Sequence, residues 1–183
     1  GGNLISTVLR LIGGLLSAKV VDPAVLGLFG GFNLILGYLP FAQLGIVNGL
    51  NRELPYLLGS GDKGKAYDYA AAVQAWVVAL GIVLGIGLLG LSGWHLALGD
   101  YEQAAGWATF AVNGILFLYA TSYLNVTYRT HGAFIKLSVV NVVQSSTNVV
   151  LVLLVWLLGY YGLCMRSLLV SVVSFLLLWV WRP

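Results

Sequence analysis

Charged residues are scarce in this chain. Nine Lys and Arg and six Asp and Glu make up 8% of its 183 residues, while 60% are hydrophobic. A soluble domain carries about a quarter charged residues, so a water-exposed globule is excluded: too few charges remain to cover the apolar surface. The net charge of +3 is small, and the charges are scattered between apolar runs. No basic patch points to nucleic acid. The single cysteine, Cys164, excludes an internal disulfide and a cysteine metal cluster. His95 and His131 are expected in loops on opposite faces, too far apart to share a metal. No glycine-rich phosphate loop of the P-loop type is present. No Ser or Cys nucleophile has an evident base partner. Neither an enzyme nor a bound cofactor is expected. The chain starts Gly1-Gly2-Asn3 without an initiator Met, so its natural start is expected to be missing. The first apolar run has no small-residue cleavage site and leads straight into another run, unlike a signal peptide.

Long apolar runs are what the sequence has instead, and mean hydropathy is +0.93. A helix needs about 20 apolar residues to cross a bilayer. Six runs qualify: 4–21, 25–50, 70–91, 105–126, 137–158 and 162–181. They are too long and too continuously apolar for barrel strands. The reading is an all-α membrane protein, a bundle of about six transmembrane helices forming a single lobe over residues 1–183. Asp22-Pro23 predicts a tight reversal with Asp22 capping the next helix. Pro40 predicts a kink in the second span. Residues 51–69 read as the longest loop, made flexible by glycine. With both ends cytoplasmic, Arg52, Lys63, Lys65, Arg129, Lys136 and Arg182 fall inside, against Lys19 and Arg166 outside. That asymmetry fits the positive-inside tendency. Aromatics such as Tyr56, Trp94, Tyr128 and Trp179 sit near span ends, where interfacial belts form.

Polar residues inside the spans follow helical spacing. The first span carries Asn3, Ser6, Thr7, Arg10, Gly13, Gly14 and Ser17 on one face, with Arg10 near mid-depth. The fifth carries Asn141, Gln144, Ser145 and Asn148 at i, i+3, i+4 and i+7. Asn33, Gln43, Asn48, Gln74, Asn113, Thr121, Ser122 and Asn125 are spread over the others. Two readings compete. The stripes line a hydrated cavity in which Arg10 meets an anion, or they are hydrogen-bonding glue between helices with Arg10 snorkelling to the interface. Gly27/Gly31, Gly45/Gly49 and Gly81/Gly85 have the spacing of close helix contacts. Arg52, Arg129 and Lys136 at the inner interface either set topology against anionic lipid head groups or capture a phosphate.

Several segments resemble one family. Residues 16–29, Leu16-Ser17-Ala18-Lys19-Val20-Val21-Asp22-Pro23-Ala24-Val25-Leu26-Gly27-Leu28-Phe29, resemble the LLARxLGPxxxGLF junction of polysaccharide and O-antigen flippases. Lys19 and Asp22 stand where that pattern has Arg and Gly. These flippases are the Wzx-like branch of the multidrug/oligosaccharidyl-lipid/polysaccharide (MOP) exporters. Residues 45–56, with Gly45, Asn48-Gly49, Arg52-Glu53 and Pro55, are similar to the family's G-x-x-N-G-x-x-R-E-x-P segment. Tyr128-Arg129, Phe134 to Ser138, and Gly159 to Leu163 also look like family segments. The resemblance implies movement of a lipid-linked oligosaccharide, typically on undecaprenyl pyrophosphate, across the bacterial inner membrane. It implies alternating access against a second lobe, often coupled to an ion gradient. This chain would then be the N-terminal lobe, with its polar stripes turned toward the missing one. Arg10, Asn48, Arg52, Arg129, Asn141, Gln144 and Asn148 are the expected substrate contacts. A drug/cation antiporter of the same superfamily would be expected to hold an acidic residue inside a span, whereas all six acids here fall in loops or at span ends. A non-transporting scaffold would pack its stripe residues between helices.

Overall fold

A computed structural model describes residues 2–182, with side chains from Leu4 onward; Gly1, the Asn3 side chain and Pro183 lie outside the described residues. Nearly every described residue is helical, and no strand occurs among them. The order is α1 (Gly2–Val20), α2 (Pro23–Ala42), α3 (Ile46–Gly59), α4 (Lys63–Ala97), α5 (Tyr101–Leu116), a π-helical segment (Phe117–Leu124), α6 (Asn125–Thr130), α7 (Phe134–Val150) and α8 (Val152–Val180). Among the described residues, four helices are long and apolar enough to cross a membrane: α2, α4, the composite Tyr101–Thr130, and α8. The chain has the character of a membrane protein. α1, interrupted by Arg10 and its polar neighbours, and α7, 17 residues long, are not among the four.

Acidic side chains start three of these helices. Asp22 accepts the Ala24 amide at 2.7 Å, Asp62 that of Lys65 at 3.3 Å, and Asp100 that of Gln103 at 3.3 Å. Each satisfies a donor the helix leaves unpaired at its start. The Asp22 cap ahead of Pro23 is therefore as the sequence indicates. The Lys65 ammonium, 2.7 Å away, holds the exposed Asp62 carboxyl below its usual range.

Three segments differ from the sequence reading. The second apolar run carries Pro40 inside α2 and is interrupted only beyond it. It breaks at Leu44 and Gly45, both with positive φ, and glycine makes that reversal cheap. The expected flexible loop is helical on both sides of residues 60–62, its later part opening α4 and its earlier part belonging to α3. In α3, Val47, Leu50 and Leu54 are buried, at i, i+3 and i+7, so one apolar stripe anchors an otherwise polar sequence. The expected outer loop 92–104 shrinks to residues 98–100, because α4 runs on to Ala97 and carries His95 in its last turn.

α8 folds back on itself at Gly159, whose φ of 55° and ψ of −122° interrupt the helix. A Cβ added at Gly162 would lie 2.7 Å from Val155 Cα and collide with the Leu154 carbonyl. Residues eight apart in a straight helix would be separated by about 12 Å, so residues 152–158 and 160–180 are two arms of a hairpin. The main core lies where α3, α4, the π segment, α6, α7 and the end of α8 converge on Leu50, Leu118 and Tyr128. Phe29 and Phe32 of α2 meet Phe110 and Trp107 of α5 edge-on or stacked. Of the three glycine pairs, Gly81/Gly85 makes a close helix contact, against Ile115 of α5. Gly27/Gly31 faces open space, and Gly45 serves the turn.

Candidate functional site

α1 packs chiefly on α7 and secondarily on α8. Ser6, Gly13 and Ser17 are its buried face. The Gly13 position is 3.4 Å from Asn148 Oδ1 when a Cβ is added there, so the small face of α1 lies against the polar face of α7. The two stripes thus meet within this chain. Their meeting is incomplete: polar space remains beside it.

That space consists of two adjoining chambers. One, of about 390 Å³, is lined by Arg10, Asn125, Asn141, Gln144, Ser145 and Asn148 with apolar neighbours from the π segment, α7 and α8. The Arg10 Nε–H points to Ser145 Oγ at 3.4 Å, a long contact, and Ser145 Oγ donates to the Asn141 carbonyl at 2.8 Å. The other chamber, of about 360 Å³, is lined by Asn33, Asn113, Thr121, Gln144, Asn148, Arg166, Ser167, Ser171 and Ser174, with Phe29 and Phe117 among its apolar walls. Phe117, Thr121, Gln144, Asn148 and Ser174 belong to both, so the chambers share a wall.

Arg166 is a chamber residue that the sequence did not single out. Half-buried in α8, it reaches across to α1, where it donates to Ser17 Oγ. Ser17 in turn donates to the Gly13 carbonyl at 2.7 Å. No carboxylate lines either chamber among the described residues. Each chamber therefore holds one uncompensated guanidinium in a setting of amides and hydroxyls. Asn113, 1% exposed, donates to Ser167 Oγ at 2.6 Å, and its Oδ1 has no partner; Asn125 Oδ1 is likewise buried and unpaired. Buried amide oxygens left open are costly and uncommon.

Four of the seven expected contacts, Arg10, Asn141, Gln144 and Asn148, come together here. The other three do not. Asn48 and Arg52 lie on the exposed side of α3, opposite its buried stripe, with Arg52 Nε 3.8 Å from Glu53 Oε1. Arg129 is exposed in the last turn of α6 because its neighbour Tyr128 takes the buried position. The π segment, which no sequence signal announced, supplies residues to both chambers. A π turn inserts an extra residue and re-aims the side chains around it, a device frequent at functional sites. It is pinned at Ser122, which accepts a 2.8 Å hydrogen bond from buried Gln43 Nε2 at the end of α2.

Compared with protein-family models, curated proteins and solved structures, the chain matches none significantly.

Proposed function

We propose that this chain is the N-terminal lobe of a lipid-linked glycan flippase of the bacterial inner membrane, working by alternating access against a second lobe. The observation that carries the reading is the pair of joined polar chambers, each with one arginine and no carboxylate. Guanidinium makes paired, charge-assisted hydrogen bonds to phosphate oxygens. A pyrophosphate carrier is therefore a fitting occupant, with amides and hydroxyls left for sugar hydroxyl groups. Among the described residues no acid lines these walls, which disfavours a cation antiporter, expected to hold an intramembrane carboxylate.

The reading includes six passages with both ends cytoplasmic. Breaks at residues 21–22, 43–45, 60–62, 98–100, 131–133 and 159 separate the helices, and on this reading α3, between the second and third passages, lies along the inner interface. Lys63, Lys65, Arg129, Lys136 and Arg182 then share the inner side. A packed scaffold is favoured by one observation, the contact of Gly13 with Asn148, but it leaves the chambers without a purpose. The deciding experiment uses the full-length gene in a host that depends on it. Arg10→Ala is expected to abolish surface glycan at unchanged protein level; normal surface glycan would refute the role given to Arg10.

A further inference from the structure

Past the C-terminal end of the π segment lies a third cavity, of about 250 Å³, that shares no residue with the two chambers. Its walls are of two kinds. Leu54 and Leu58 of α3 and Leu124 are apolar, whereas Gln74, Tyr123 and Arg182 are polar. No carboxylate lines it among the described residues.

Arg182 is held in place before any ligand arrives. Its guanidinium carbon sits 4.8 Å from the centroid of the Trp179 ring, a cation–π distance. The backbone beside it is tied twice: the Tyr128 hydroxyl donates to the Leu178 carbonyl at 2.8 Å, and Lys136 Nζ donates to the Trp181 carbonyl at 3.2 Å. Tyr128 is fully buried, so that tie is rigid. The opposite polar wall is also ordered. Gln74 Nε2 donates to the Tyr119 hydroxyl at 3.0 Å, and Gln74 Oε1 accepts from Tyr123 at 3.3 Å.

A preset cation without a neutralising acid, facing an apolar wall, complements an anionic amphiphile. α3 is an amphipathic helix at the end of long apolar helices, the position of an interfacial helix. We propose that this cavity holds one anionic phospholipid, its phosphate on Arg182 and its chain along Leu54 and Leu58. The apolar wall is what favours a lipid over free phosphate, since inorganic phosphate gains nothing from leucine. The bound lipid would join α3, the π segment and the end of α8. Its residues are separate from those of the two chambers, so the site stands or falls independently of the transport reading.

Native mass spectrometry of the full chain in detergent, offered equal amounts of phosphatidylglycerol and phosphatidylcholine, tests this. The expected result is one retained phosphatidylglycerol with about tenfold preference, the size of a single charge-assisted contact. Arg182→Gln is expected to lose that preference, and Arg52→Gln, exposed and outside the cavity, to keep it. Arg182→Lys, which retains the charge over Trp179, guards against loss of fold and is expected to keep part of the preference. Equal retention of both lipids by the unmodified chain, or an unchanged preference in Arg182→Gln and Arg182→Lys, would overturn the proposal. So would displacement of the lipid by millimolar inorganic phosphate, which would make a free anion the occupant.

Discussion

Arg10 and Arg166 reach one polar space from the first and last helices of the chain, and each is met there by a serine rather than an acid. Serine orients a guanidinium without neutralising it, which leaves the charge available to an anion. Arg10 was legible in the sequence, because an arginine among apolar residues at mid-span stands out. Arg166 was not singled out, because it stands near the start of the last apolar run and its spacing gives no hint of the contact with Ser17. The two residues differ in their expected tolerance. Arg166→Lys keeps charge but loses the planar fork and is expected to retain part of the transport activity. Arg166→Gln removes the charge and is expected to weaken binding of a pyrophosphate-linked substrate by about 2 kcal/mol, roughly thirtyfold. Titration of the purified full-length protein with that substrate would measure it, and equal affinities for all three side chains would remove Arg166 from the site.

At the scale of elements, apolar runs and the Asp22 cap located most of the helices. What they did not locate were the places where backbone geometry overrides composition. α3 looked like a loop because Asn51, Arg52, Glu53 and Pro55 dominate its composition, although Val47, Leu50 and Leu54 already fall on one helical face. The π segment has no compositional mark, since its extra residue is absorbed by packing of Leu118, Ala120 and Tyr123. The α8 hairpin depends on two glycines for different reasons. Gly159 supplies the positive φ, and Gly162 lets one arm touch the backbone of the other. Gly162→Ala is expected to destabilise the protein by about 2 kcal/mol through overpacking. Thermal unfolding in detergent would show it as a lowered midpoint. Gly14→Ala, where nothing lies within 4 Å, should leave that midpoint unchanged. Equal effects of the two substitutions would argue against the hairpin contact.

At the scale of the whole molecule, four helices carry the length and hydropathy of membrane spans, and the polar helices α1 and α7 lie against each other and beside the chambers. The two sequence readings of the stripes prove to be partly compatible. Ser6, Gly13 and Ser17 pack between helices, whereas Gln144 and Asn148 line open volume. On the proposed reading this volume is hydrated within an otherwise apolar bundle. Cysteine labelling addresses it most directly, because a thiol reacts as thiolate and needs water to ionise. In a Cys164→Ser background, Gln144→Cys and Asn148→Cys are expected to react with a membrane-impermeant maleimide. Val83→Cys and Ile86→Cys, on the outward apolar face of α4, are expected to stay unreactive. Protection of Gln144→Cys and Asn148→Cys to the same degree as the α4 pair would contradict a hydrated chamber and leave a dry, packed bundle.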